Sequence, residues 1–357
     1  MFFIIIFYDF LGIIRNISYD KLWIYFQGDL IMLWFIGYFF GLYLYVVMDI
    51  LLSLIVGKSM GMSLLVINIF GNEGRRIYSK EKLKWTKGRF YLFPSAFYGK
   101  KYISKSDDFY FTVIKLVVST AIFLGLAIYL NLKYKAGIWG RGFTLGISDG
   151  TVLFSLVVCF MTIKRYISST NKELCDRIYE QKDLLWGGSE FGKIKVYPEL
   201  AADNRNNRAF RLMEYTFCCL NALDRGDYNT LGGYLRQVDE MLVNKSTSGK
   251  YDVSFPYTSL YYMIIYYSAC INPNRANAIK FYEMIKFRLE ADMEPAGRRV
   301  LAAFQLYIMN RPDLAAASIT QAEQFLDNHE DSFLEDAELK LERKLIDELK
   351  SKIFYGN

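Results

Sequence analysis

The sequence predicts an all-α chain in two parts: a multi-span membrane helical core with a membrane-associated β-hairpin loop, then a soluble domain of helical repeats. Every long apolar run among the 357 residues lies within residues 1–163, whereas residues 164–357 have the composition of ordinary soluble protein. From Asn204 onward a helix–turn–helix pattern recurs. The hydrophobic share of 53% is therefore the average of two unlike halves. The expected division is a membrane domain over 1–165, a linker over 166–203 and a repeat domain over 204–357, the last long enough to bury its own core.

The clearest span runs from Ile31 to Val56, whose only charge is Asp49. At about 1.5 Å per residue it exceeds a hydrocarbon core of about 30 Å and crosses with room to tilt. A second span covers Phe109–Leu132, with Lys115 near its start, and a third covers Phe143–Ile163 and contains Asp149. Residues 2–14 are apolar except Asp9, too short for a comfortable crossing and without the basic start and cleavage site of a signal peptide. They form either a short first span or an interfacial helix.

Basic residues set the orientation. The segment Gly57–Asp108 carries Lys58, Arg75, Arg76, Lys80, Lys82, Lys84, Lys87, Arg89, Lys100, Lys101 and Lys105, while Lys133–Gly142 carries only Lys133, Lys135 and Arg141. The long loop and the C-terminal half are expected on the cytosolic side of a bacterial plasma membrane. Membrane lipid is an expected partner of the basic loop and nucleic acid is not. Within the loop, Ser63–Phe70 is β-rich and apolar, followed by a turn at Gly71-Asn72-Glu73-Gly74. A hairpin against the cytosolic membrane face fits this alternation of aromatic and basic residues, provided its edges are paired or covered.

In the soluble half, Asp227, Arg275 and Asp313 occupy equivalent turns, each leading into a helix with apolar positions three and four apart. The hairpins resemble tetratricopeptide repeats over residues 204–330, and Ala315, Ala316, Ala317 and Ala322 permit the close helix contact which that resemblance implies. A charged helix, Phe333–Ile353, is expected to cap the stack. Tyr257, Tyr261, Tyr262, Tyr266 and Tyr267 are expected in the core. Such stacks bind peptides or proteins, so a cytosolic protein or peptide is the expected partner.

Five cysteines (Cys159, Cys175, Cys218, Cys219 and Cys270) follow no framework spacing, and adjacent Cys218 and Cys219 read as core packing. The one histidine, His329, lies in a polar stretch. That argues against histidine-ligated metal and Ser-His chemistry, and no cofactor or metal is expected.

Carboxylates inside apolar spans are costly and are functional candidates by default, which singles out Asp49 and Asp149. The order of features resembles the site-2-protease metallopeptidases. That family has a core of three spans, with H-E-x-x-H and a following glycine on the first. A membrane-associated hairpin comes next, and an Asp-Gly pair on the third span supplies a zinc ligand. Here Asp49-Ile-Leu-Leu-Ser53 and Gly61 stand in the first slot, Ser63–Phe70 in the second and Ser148-Asp149-Gly150 in the third, over residues 29–163. Both histidines are missing and Ile50 replaces the glutamate, so the resemblance implies a non-catalytic relative, a pseudo-protease. Ser53, Ser148 and Gly150 are then candidate binding positions around a membrane peptide or partner helix.

Two other readings stay open. Gly146-Ile147-Ser148-Asp149 is similar to the Gly-x-Gly-Asp of intramembrane aspartic proteases, with Asp49 as the second carboxylate. The chain also fits an accessory subunit of a membrane transporter. The two acids meet only if the chain enters the membrane partly unwound, which Gly137, Gly140, Gly142, Gly146 and Gly150 permit and Arg141 opposes.

Overall fold

A computed structural model describes residues 28–76, 82–87, 94–99, 105–133, 138–167, 169–244, 250–327 and 336–355. The N-terminal stretch 2–14 and His329 lie outside the described residues. What is described is mostly helical with a small antiparallel sheet. The chain forms two compact units, 1–56 with 110–162, and 57–109 with 163–357. This departs from the linear division at 165, because the strands between the first two apolar helices find their counter-ions on the C-terminal helices.

The first unit consists of α1 (Gly28–Ser59), α2 (Lys105–Lys133) and α3 (Ile138–Ile167). Among the described residues, two helices are long and apolar enough to cross a membrane, over Met32–Ser59 and Phe109–Leu126; α3 holds a shorter apolar stretch, Phe143–Val158. The outward surface carries large apolar side chains, Phe35, Phe39 and Ile55 on α1 and Val117 and Leu124 on α2. The three meet around buried Tyr45, whose ring stacks on Phe123 at 4.8 Å and meets Phe154 edge-on at 5.0 Å.

Between α1 and α3 the backbones approach closely along two small-residue steps, Gly37/Gly41 and Gly146/Gly150. A Cβ on Gly41 would lie 2.6 Å from the Ile147 carbonyl oxygen, and one on Gly150 would lie 2.5 Å from that of Tyr38. Gly37 and Gly146 are closed off in the same way by the Phe143 and Trp34 backbones. Only hydrogen fits, the arrangement that lets helices pack by backbone contact. Of the glycines expected to unwind the chain near Asp149, Gly146 and Gly150 instead lie in a continuous helix and form its contact face, whereas Gly137 lies outside the described residues.

In the second unit, β1 (Ser63–Ile69), β2 (Asn72–Arg75), β3 (Lys84–Lys87) and β4 (Ser95–Gly99) make a four-stranded antiparallel sheet in the order β3-β2-β1-β4. The expected hairpin thus gains a strand at each edge. Its turn comes earlier than expected, at Phe70 and Gly71, where both φ angles are positive (47° and 84°), as a two-residue hairpin turn requires. Asn72–Arg75 is strand, pairing Asn68 with Glu73 and Val66 with Arg75. One face therefore carries Val66, Asn68, Glu73, Arg75 and Thr86; the other carries Ile67, Ile69, Asn72, Trp85 and Lys87.

The expected linker is folded. Helices α4 (Ser169–Trp186) and α5 (Pro198–Ala202) bury Leu174, Ile178, Leu185 and Ala201 in the same core as the hairpins. Asn221 fastens the segment between them by donating to the Phe191 and Ile194 carbonyls at 2.7 and 3.1 Å. Three helical hairpins follow: α6 (Arg208–Asp224) with α7 (Tyr228–Leu242), α8 (Thr258–Tyr266) with α9 (Arg275–Leu289), and α10 (Pro295–Tyr307) with α11 (Pro312–Asp327).

Side-chain caps start the second helices, Asp227 accepting from the Thr230 N–H and Asn274 from the Asn277 N–H. The third turn uses Asn310 at φ 55° and then Pro312. The cap of the second turn is thus Asn274, one residue before the Arg275 expected there. Helix α12 (Asp336–Tyr355) packs on α10 and α11 and also reaches α4, so it bridges both ends of the array instead of capping one. It does so because Ala337, Leu339, Leu341, Leu345, Ile346 and Leu349 make a buried face wider than one partner can cover.

Candidate functional site

The structure gives Asp49 and Asp149 separate partners. Asp49 lies on α1, where its Oδ2 accepts from Lys115 Nζ of α2 at 3.1 Å, with both side chains about a quarter exposed. An opposite charge at this distance offsets part of the cost of holding a carboxylate among apolar helices. Ser53, one turn on, donates its hydroxyl to the Asp49 carbonyl at 2.7 Å and is itself buried, so its only polar group is turned into its own helix.

Asp149 is level with a different part of α1. Its Oδ2 accepts from Trp34 Nε1 at 2.9 Å. Trp34 lies four helical turns before Asp49, about 22 Å along the same axis. The two acids therefore do not share a proton or a water, and the slots of the zinc ligands do not converge. Ser148 is buried and its carbonyl accepts from Thr151 Oγ1 at 3.0 Å, while Gly150 is occupied by the approach of Tyr38. Thr120 and Ser155 bond at 3.1 Å between α2 and α3. Each candidate residue thus takes part in helix packing. Among the described residues, no group of three or more His, Cys, Asp or Glu side chains is placed to hold a metal ion.

The strongest electrostatic feature lies in the second unit, and sequence reasoning missed it. Arg288, only 3% exposed near the end of α9, sends Nη2 to Glu73 Oε2 at 2.9 Å and Nε to the same oxygen at 3.2 Å. Its Nη1 donates to the Val253 carbonyl at 2.5 Å. On the next strand position of the same face, Arg75 reaches Asp292 Oδ2 at 3.1 Å and Glu294 Oε2 at 3.0 Å. Asp292 is fully buried, accepts from the Tyr262 hydroxyl at 2.6 Å and occupies space that a side chain on Gly297 would fill.

The shifts in proton affinity follow from this cluster. Burial, then the charge of Asp292, push the Tyr262 phenol well above its ordinary value. Burial alone would lower the affinity of Arg75 for its proton, but Asp292 and Glu294 outweigh it and the guanidinium is raised. Burial raises Glu294, with Arg75 pulling the other way. A second buried pair, Arg299 Nε to Glu342 Oε2 at 2.6 Å and Nη2 to Oε1 at 2.9 Å, ties α10 to α12, with the guanidinium 4.3 Å over the Tyr266 ring.

Cys218 and Cys219 are completely buried, and burial pushes both thiols far up. Tyr261, Tyr262 and Tyr266 are buried, as expected of core residues. The sequence signal for the clamp was an arginine among apolar neighbours at the end of α9, but nothing local points to its partner in β2.

Fold and site together define a helical-hairpin domain with an inserted, ion-paired sheet, carried on a chain that also holds long apolar helices. No family model matches the chain, and neither a curated protein nor a solved structure is similar to it.

Proposed function

We propose that the chain is a non-catalytic, membrane-anchored interaction protein. Helices α1, α2 and α3 span the membrane and hold a membrane peptide or partner helix, while the tetratricopeptide-like hairpins recruit a protein partner in the cytosol. The observation that carries this reading is the buried clamp of Glu73, Arg75, Arg288, Asp292 and Glu294. It joins the sheet between the two apolar helices to the hairpin domain, so the sheet and the hairpins form one folded unit on which a partner would bind.

A relationship to site-2 proteases is supported by the order of elements alone: an apolar helix, a sheet, then two further helices. A second reading, an accessory subunit of a membrane transporter, is favoured by the Asp49–Lys115 pair, since ionisable residues inside spans mark ion pathways.

The test is isolation of the full chain from its own membrane with quantitative mass spectrometry, alongside incubation of the purified chain with membrane peptides. The expected result is a stoichiometric protein partner, no cleavage, and no response to chelators. Cleavage by the wild type that Asp149→Ala abolishes would overturn the reading. Thiol labelling of Lys84→Cys from the cytosol and of Lys135→Cys from outside checks the orientation.

A further inference from the structure

The two acids of the apolar helices are not equally provided for. Asp49 has a cation from its own chain, Lys115, at 3.1 Å. Asp149 is exposed on the outside of α3 and forms no ion pair among the described residues. Trp34 Nε1, 2.9 Å from its Oδ2, is a neutral donor that holds the carboxylate without balancing its charge. The apolar stretches have no spare cation to send. Residues 2–14, 31–56, 109–132 and 143–163 contain three acids, Asp9, Asp49 and Asp149, and one base, Lys115, which Asp49 uses.

Its surroundings suit a cation. Leu156 and Phe160, seven and eleven residues further on, are both 57% exposed, so α3 turns outward a face that is apolar apart from this one carboxylate. Beside it Trp34 stacks on Tyr38, with ring centroids 5.4 Å apart. A carboxylate next to aromatic rings favours a cation twice, through its charge and through the ring quadrupole. Asp149 lies six residues beyond Phe143, where the apolar stretch of α3 begins, or about 9 Å along the axis. In a hydrocarbon layer of about 30 Å that is about a third of the way in, and aspartate lacks the long stem with which lysine reaches back to the surface. Ionisable groups at such depth face a partner or a cavity. A second copy of this face would set like charges together, whereas a span bearing lysine or arginine complements it.

We propose that Asp149 is the docking point for a different membrane protein, one whose span carries a lysine or arginine at the same depth, with Leu156 and Phe160 packing along that span. The proposal rests on the membrane reading above and gives the partner's chemistry. The probes are synthetic spans of about twenty leucine and alanine residues, with either lysine or leucine about seven residues from one end. Their binding to the full chain in phosphatidylcholine vesicles is followed by energy transfer between dyes on the two.

The lysine span should bind about tenfold more tightly than the leucine span, the worth of one polar contact between helices in lipid. Asp149→Asn keeps an oxygen for Trp34, so the bundle stays folded, and it should erase the difference. Asp49→Asn with Lys115→Met removes the inner pair and should leave the difference intact. Equal binding of the two spans, or a lysine preference that survives Asp149→Asn, overturns the inference and leaves the partner-helix reading standing. Self-cross-linking of Leu156→Cys in a Cys159→Ser background also overturns it, because a second copy then covers the face. Release of the full chain from the vesicles by alkaline carbonate overturns the membrane reading and the inference with it.

Discussion

Replacing Glu73 by alanine tests the clamp directly. Glu73 and Arg288 are 4% and 3% exposed, and the guanidinium gives Glu73 both Nε and Nη2. Removing the carboxylate leaves a buried cation, and breaking such a pair costs about 3–5 kcal/mol. Arg288 keeps the Val253 carbonyl and the Thr258 hydroxyl as acceptors, which places the expected loss near the lower end, about 3 kcal/mol. With a urea dependence of about 2–3 kcal/mol per molar, the midpoint should fall by about 1 M. Pulse proteolysis of the full chain in detergent reads that midpoint. Glu73→Leu combined with Arg288→Met removes both charges and should recover most of the loss, since an apolar pair of similar size is about neutral. An unchanged midpoint in Glu73→Ala, or losses that simply add in the double variant, would refute the pairing.

Three further outcomes follow from single residues. Gly41→Ala should destabilise the helical unit by about 2 kcal/mol or more in detergent melts, because its Cβ meets the Ile147 carbonyl, while Gly125→Ala, with open space around it, should be neutral; equal effects would dismiss the glycine contact. Lys115→Met should lower the same melting temperature by stranding Asp49, and adding Asp49→Asn should restore it; no recovery in the double variant would argue against the pair. Glu214 is completely buried, accepts from Gln181 and the Tyr197 N–H on one oxygen only, and is raised by burial. The native state then binds its proton more tightly than the unfolded one. The associated stability is full below the unfolded carboxylate value and is lost as pH rises through the folded one. Urea midpoints of the wild type should therefore gain on acidification relative to Glu214→Gln, and parallel pH profiles would contradict this.

What the sequence made legible was what local pattern determines. The three apolar helices were readable from composition, each extending a few residues into polar flanks at its ends. The hairpin array was readable from turns such as Asp227 and from tyrosines at helical spacing. The extra strands were not, because Lys84-Trp85-Thr86-Lys87 alternates without apolar weight and reads as basic loop. The clamp was illegible for a deeper reason: Glu73 and Arg288 are 215 residues apart, and a charge carries no label for its partner. Asp49 and Asp149 were singled out as expensive, but the expense did not say how it is met. Lys115 and Trp34 meet it locally, one at each acid.

The same reasoning predicts that deleting the whole sheet harms the hairpin domain less than deleting one carboxylate from it. In Glu73→Ala the strands still cover Arg288, so the guanidinium keeps its burial and loses its counter-ion. In a fragment of residues 163–357 the cover is gone as well, and water solvates Arg288, Asp292 and the Tyr262 hydroxyl in place of the strands. The core of Leu174, Tyr261, Phe281, Ile285 and Ile346 lies wholly within that fragment. The fragment should therefore be soluble and helical by circular dichroism, with a urea midpoint no lower than that of full-length Glu73→Ala. Hydrogen exchange should speed up locally over residues 253–295, where the strand-facing groups lie, and stay slow in α10 and α11. A fragment that is unfolded, or one whose residues 253–295 exchange as slowly as in the full chain, would mean that the sheet and the hairpins are not joined through these charges.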